Sequence, residues 1–274
     1  MDQLELQDIE IQLLLEGIAR YYGYDFRRYA FASLKRRILN MLRAEHLPTI
    51  SALQEKVLHD PACLERLLLA LTVNVTAMFR DPHFYLAFKT HVVPLLRTYP
   101  FIRVWHAGCS TGEEVYSMAI LLYEAGLYER SRIYATDMNA AVLSKARAGI
   151  FPLEKMQEYT GNYLRSGGNQ SFSEYYTAAY EHAIFRPWLK EHITFSQHNL
   201  ATDGSFNEFN VVLCRNVMIY FNRSLQEQVH GLLYQSLGMF GVLGLGHAES
   251  LKFTLHEHQY AEVVSGERLY RRIS

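Results

Sequence analysis

The stretch from Phe101 to Tyr116, Phe-Ile-Arg-Val-Trp-His-Ala-Gly-Cys-Ser-Thr-Gly-Glu-Glu-Val-Tyr, constrains the fold more than any other part of the chain. An apolar, β-prone run from Phe101 to Ala107 turns on Gly108 and Gly112 and continues with helical apolar spacing at Val115, Met118, Ala119 and Leu122. Strand, glycine turn and helix in that order build the nucleotide end of an open α/β sheet, with the amides of the helix start facing the ligand. A second strand, Ser131 to Asp137, ends on a carboxylate 25 positions after Gly112, the distance expected for a residue that accepts hydrogen bonds from ribose hydroxyls. An adenosine-containing ligand is implied.

The turn itself narrows the ligand. A dinucleotide fingerprint needs a middle glycine so that pyrophosphate can approach, and here the turn reads Gly108-Cys-Ser-Thr-Gly112, which disfavours NAD. A phosphate-binding P-loop would place lysine after the last glycine, and Glu113 and Glu114 stand there instead, repelling phosphate and suiting a cation. S-adenosylmethionine has an ammonium, a sulfonium and an adenosine and no phosphate, so it fits; the same unit also occurs as plain Rossmann-like scaffolding.

With 274 residues, 49% apolar and 20% charged, the chain suits two globular domains or one large domain with an appendage. Its net charge of −1 leaves no global basic field for nucleic acid, so electrostatic recognition must be local. Cys63, Cys109 and Cys214 are odd in number and widely spaced, which points to reduced thiols rather than a disulfide frame, and no metal site is expected. No apolar run approaches the roughly 18 residues of a membrane span, and the first residues lack signal-peptide character. A cytoplasmic protein without direct membrane insertion is expected, and a monomer.

From Leu4 to about Leu71 apolar residues recur at helical spacing with almost no strand signal, predicting a bundle of about four helices with starts at Asp25, Ser51 and Asp60-Pro61 and breaks at Gly23 and Pro48. Between Arg20 and Glu45 stand seven Lys/Arg against two acidic residues, a run that is either a solvated helix face or a contact for an acidic partner. The segment Leu71 to Pro82 embeds Asn74, Thr76 and Arg80 in an apolar run, and polar groups there need partners. It reads as a capped linker or a lid, followed by a helix to about Leu96. After Asp137 come a helix from Asn139 to Ala148, a tyrosine-rich insertion at about 150–190 with an antiparallel excursion from Phe172 to Trp188, and strands from Ile193 and Phe209. A helix from about Ser224 to Leu237, a strand from about Val242 to Gly246 and a hairpin at 260–273 close the chain. The expected organisation is an N-terminal all-helical domain at 1–72, a linker and lid segment at 73–98, and at 99–274 an α/β domain with a Rossmann-like methyltransferase sheet and a small inserted β subdomain.

Six blocks in order resemble the CheR-type chemotaxis receptor methyltransferases: Asn74 to Pro82, Ala107 to Ser117, Ala135 to Asp137, His198 to Leu200, Cys214 to Phe221 and Gly246 to Ser250. The resemblance implies methyl transfer from S-adenosyl-L-methionine to glutamate side chains on the cytoplasmic helices of chemoreceptors (methyl-accepting chemotaxis proteins), with S-adenosyl-L-homocysteine as product. Carried over block by block, it places cofactor contacts at Asn74, Thr76, Arg80, Glu114, Asp137, Asn199, Leu200, Arg215 and Asn216, and sets Arg80 and Tyr220 near the transferred methyl. Chemically, Asp137 suits the ribose, Glu114 the methionyl ammonium, and the Asn199-Leu200 pair the adenine. A basic face carrying Arg36 and Arg37 would meet the acidic receptor helices. Met78, Val115 and the separated Gly238 and Gly241 depart from the family pattern. The resemblance also associates tethering to a receptor terminus with a glycine-rich insertion between subdomain strands, and Phe172 to Trp188 has no glycine. Two other readings stay open: a non-catalytic module that binds the methyl donor, and a methyltransferase for another substrate. A nucleic-acid amino-methyltransferase is disfavoured, because Cys214-Arg-Asn-Val-Met stands where an Asn/Asp-Pro-Pro-aromatic motif belongs.

Overall fold

A computed structural model describes residues 3–72 and 75–274, which divide into two compact units, Met1–Asn74 with Tyr220–Val229, and Val75–Ile219 with His230–Ser274.

The first unit holds α1 (Gln3–Tyr22), α2 (Phe31–Ala44), α3 (Ile50–His59) and α4 (Pro61–Leu71). The stripes Ile11, Leu14 and Ile18, then Leu34, Ile38 and Met41, then Leu53 and Val57, then Leu64, Leu67 and Leu71 are buried together. Helix starts follow capping chemistry: Thr49 Oγ1 accepts from the Ala52 amide at 3.1 Å, and Asp60 accepts from Ala62 at 2.9 Å with Pro61 in the first turn. Thr49, not Ser51, is therefore the cap of α3. Asp25 starts no helix either, because its carboxylate binds Arg27 through the backbone amide at 3.0 Å and the side chain at 2.9 Å.

The expected boundaries put 220–229 with the sheet, whereas Tyr220–Val229 belongs to the helical unit. Backbone pairing is the reason: the Ala30 amide donates to the Tyr220 carbonyl at 2.8 Å, that of Asn222 to Arg28 at 2.9 Å, and the Tyr29 and Phe221 rings meet edge to face at 4.8 Å.

The second unit begins with α5 (Pro82–Ala87) and α6 (Val93–Leu96), joined by one wide π turn at Phe88–Val92. Pro94 follows that turn and cannot donate, which favours such a local widening. The expected linker segment is not detached: Met78, Phe79, Phe84, Tyr85, Phe88, Val92 and Leu96 sit in the core of this unit.

Then come β1 (Ile102–Ala107), α7 (Glu113–Glu124), β2 (Ser131–Asp137), α8 (Ala140–Ala148), β3 (Ile150–Pro152), α9 (Met156–Arg165), β4 (Tyr176–Ala179), β5 (His182–Phe185), β6 (Ile193–Gln197), β7 (Phe209–Cys214), α10 (Arg223–Ser236), whose residues up to Val229 count with the first unit, β8 (Leu237–Leu245), β9 (Tyr260–Val264) and β10 (Leu269–Arg272). Seven strands form one sheet in the order β6-β2-β1-β7-β8-β10-β9, parallel from β6 to β8, with β10 antiparallel to both of its neighbours. This is the expected Rossmann-like sheet. One face packs Val104 and His106 toward α7; the other carries Trp105, whose indole N–H donates to Thr136 at 2.9 Å and whose ring stacks on Phe209.

The insertion is a three-stranded antiparallel sheet, β3-β5-β4, together with α9. Neither β3 nor α9 is anticipated by the sequence reading, although Met156, Tyr159 and Tyr163 lie at i, i+3 and i+7 and are all buried. Among the described residues no helix is long and apolar enough to cross a membrane.

Candidate active site

Strand order reverses between β1 and β7, and in open α/β sheets ligands bind at the carboxyl ends of strands beside such a reversal. Seven of the predicted residues lie on segments at that edge or start from it. Glu114 opens α7 after the β1 turn, Asp137 ends β2, Asn199 and Leu200 follow β6, Arg215 and Asn216 follow β7, and Arg80 is tied to the same end through Arg215.

The β1 turn is held from below by the Thr136 carbonyl, which accepts from the Gly108 and Cys109 amides at 2.8 Å each. Gly108 has φ +82° and stands so close to Val217 that a Cβ would lie 2.6 Å from its methyl, so only glycine fits. Above it, the Ser110 amide donates to Asp137 Oδ2 at 2.9 Å and the Asn139 amide to Oδ1 at 3.0 Å. These bonds fix the carboxylate and leave lone pairs on both oxygens for ribose hydroxyls. Burial raises the Asp137 pKa above the usual carboxylate range, against the pull of those backbone donors.

The adjacent glutamates diverge. Glu113 turns inward, accepts from Thr111 at 2.6 Å and pairs with Tyr159 of α9, and burial raises its pKa. Glu114 instead meets His106 Nδ1 at 2.9 Å and accepts from Arg215 at 3.0 Å. Burial pushes the Glu114 carboxyl up, but the His106 bond and the Arg215 charge outweigh it, so its pKa lies below the usual range. Arg215, its side chain 2% exposed, also donates to Asp81 at 2.8 Å and to the Arg80 carbonyl at 3.3 Å, and its guanidinium lies 4.0 Å over the Phe84 ring. Arg215 is thus committed to protein partners, and Glu114 carries charge that Arg215 already compensates in part. The sequence places both residues at the cofactor and leaves no trace of this pairing.

Thr76 and Arg80 are half-buried on the loop before α5, and Asn74 lies outside the described residues. Two left-handed residues, Phe79 at φ +50° and Asp81 at φ +57°, flank Arg80. The loop is pinned by Ser117, whose hydroxyl accepts from the Phe79 amide at 2.9 Å, and by Asn162, whose amide donates to the Met78 carbonyl at 3.0 Å. The Arg80 guanidinium donates to the Val75 carbonyl at 2.9 Å and has no carboxylate partner among the described residues.

On the β6 side, Asn199 closes a tight turn: its Oδ1 accepts from the Ala201 amide at 3.0 Å, and its own amide donates to Asp203 at 2.9 Å. Buried Leu200 supplies an apolar surface there, and His198 packs edge-on against Trp105 at 5.4 Å. At the end of β7, Asn216 takes φ +62°. No role is expected from the sequence for Ser117, Asn162, His106, Asp81 or Glu249; Asp81, Ser117 and Glu249 lie within the resemblance blocks, and His106 leaves a local signal as a polar residue in an apolar strand.

Tyr220 belongs to the helical unit, where the Arg37 guanidinium lies 4.9 Å over its ring. Arg37 also donates to the Leu71 carbonyl, so it is a packed residue and not part of a free basic face. Arg36 and Arg43 are exposed. A six-residue helical offset cannot place 37 beside 43 while Leu34, Ile38 and Met41 face inward.

A donor set of two carboxylates with backbone amides and no lysine, around a turn that excludes a Cβ, suits a cationic adenosine ligand without phosphate. Comparison with known proteins agrees. The family model "CheR methyltransferase, SAM binding domain" matches residues 74–268, and "CheR methyltransferase, all-alpha domain" matches 9–72. "Putative methyltransferase Cher3" of Pseudomonas putida is 53% identical over 265 residues, 97% of each chain. A "Chemotaxis protein methyltransferase" of Listeria innocua is 30% identical over 85% of this chain and 87% of its own, and one of Salmonella typhimurium is 34% identical over 69% and 64%. The chain therefore belongs to the CheR family of chemotaxis protein methyltransferases, and S-adenosyl-L-methionine is its cofactor.

Proposed function

We propose that this enzyme methylates glutamate side chains on the cytoplasmic helices of chemoreceptors, producing γ-methyl esters and S-adenosyl-L-homocysteine. The observation that carries the proposal is the contrast between two neighbouring arginines. Arg215 has two carboxylates, whereas Arg80, on a strained and pinned loop of the same unit, has none among the described residues. An arginine left without an acidic partner beside a cofactor edge is suited to take a carboxylate from the substrate.

Bound S-adenosyl-L-methionine supplies the sulfonium methyl group. A glutamate with an ordinary pKa near 4.3 is ionised at neutral pH and needs no general base. One carboxylate oxygen forms the bond to the methyl carbon as the sulfur–carbon bond breaks, its electron pair stays on sulfur, and no proton moves. In this reading Asp137 holds the ribose, Asn199 and Leu200 frame the adenine, Arg80 aligns the substrate carboxylate, and Tyr220 orients it by a hydrogen bond. With no acid–base step to catalyse, alignment and the stripping of water from the carboxylate remain as the enzyme's contribution.

The test is incubation of the enzyme with methyl-labelled donor and chemoreceptor cytoplasmic fragments, followed by treatment with base. Label on the receptor that base releases as methanol supports a glutamate ester. Base-stable label would mean another acceptor, and absence of transfer with intact donor binding would mean a binding module.

A further inference from the structure

Glu249 follows β8 and is 5% exposed, yet no acceptor or donor role at the cofactor accounts for it. Its carboxylate accepts four backbone N–H bonds. Oε2 takes those of Gly246 at 2.7 Å and Asn216 at 2.9 Å, and Oε1 those of Val217 at 2.9 Å and Met218 at 2.8 Å. Three of these amides are consecutive and form the turn that leaves β7 beside the strand reversal. Such a row of N–H groups is an anion-binding concavity, here filled from within the chain. Space is as restricted as bonding: a Cβ at Gly246 would lie 2.7 Å from both Glu249 Oε2 and the Asn216 amide.

The held turn bears on the cofactor edge at two points. Asn216 is kept in the left-handed region, which non-glycine residues rarely adopt, and that conformation directs its side chain. Val217 fills the space against Gly108 that a side chain there would take, so the β7 turn and the β1 glycine turn are fitted to each other.

We propose that Glu249 is a positioning residue for the methyl donor: it does not touch the donor, but sets Asn216 and Val217 against the Gly108 turn. The inference rests on the reading of Asn216 as a donor contact. Burial raises the Glu249 pKa despite its four donors, so the charged form depends on the whole set of bonds.

The test uses the full chain. Glu249→Gln turns an NH2 group toward two of the four amides and should weaken S-adenosyl-L-homocysteine binding at least tenfold by calorimetry, with unchanged far-UV circular dichroism. In receptor assays the donor KM should rise by a similar factor while kcat at saturating donor stays within about threefold. Leu269→Ala, a buried residue on β10, serves as the stability control and should lower the melting temperature while leaving donor affinity within twofold. Should Glu249→Gln not fold, Glu249→Asp, one methylene short, is expected to weaken binding several-fold. Parental affinity in the folded variant, or equal loss of affinity in the Leu269→Ala control, overturns the proposal. Parental enzyme that binds the product but methylates no receptor fails the substrate reading alone and leaves the binding test intact.

Discussion

Glu114 and Arg215 form an ion pair of 3.0 Å between the first turn of α7 and the end of β7, and Asp81 completes it from the loop before α5. One guanidinium thereby joins three segments far apart in sequence. Arg215→Ala would strand two carboxylates, and removing one partner of a buried ion pair costs about 3–5 kcal/mol. A urea midpoint lowered accordingly is expected, with donor binding lost. Lysine should not rescue it, because a single ammonium does not reproduce the fork that meets Glu114 and Asp81. A midpoint equal to that of the parent would show that the pair is replaceable.

Asp137→Ala should weaken S-adenosyl-L-methionine binding at least tenfold with the fold intact. The raised pKa of Asp137 sets the pH dependence. Ribose hydroxyls donate to the ionised carboxylate, so donor affinity should fall as pH drops through that raised pKa and stay level above it. In the apo protein the sign is opposite: a raised folded pKa favours the protonated native state, so this group opposes stability above its folded pKa. Calorimetry across pH on parent and variant checks both statements, and identical profiles would remove Asp137 from the ribose.

Arg36 and Arg37 are neighbours in sequence but should behave differently on substitution. Arg36 is exposed, so Arg36→Glu should slow receptor methylation several-fold at low ionic strength, with the gap closing as salt rises and donor affinity unchanged. Arg37→Glu loses the Leu71 carbonyl bond and the stacking on Tyr220, and should cost about 1–3 kcal/mol of stability at any salt concentration. Denaturation and initial rates at two ionic strengths separate the cases.

Tyr220→Phe keeps the ring under Arg37 and removes only the hydroxyl. Donor binding should persist while turnover falls. Turnover equal to the parent would leave Tyr220 a packing residue alone.

The β4–β5 hairpin turns through Tyr180 and Glu181 alone, with no glycine insertion. Methylation should therefore survive deletion of the last residues of the receptor. Its loss on such truncation would establish a tether.

Local pattern determined much of this protein. The strand, glycine turn and helix around Gly108, the carboxylate ending β2 and the helical stripes of the first 71 residues are written in contiguous residues, because helix and strand periods and the steric freedom of glycine act over a few positions. The blocks at Thr76, Arg80, Glu114, Asp137, Asn199 and Arg215 could likewise be placed on their elements. What those side chains bond to was decided only in three dimensions. Glu113 and Glu114 are neighbours with the same chemistry, yet one serves Tyr159 and the other Arg215, because adjacent helical positions point about 100° apart into different surroundings. The Glu249 clamp joins residues about thirty positions apart, the pairing of Tyr220 with Ala30 spans far more, and neither leaves a periodic trace. A buried carboxylate or guanidinium must find its partners wherever the fold brings them, and that requirement, rather than any local propensity, arranged the cofactor edge.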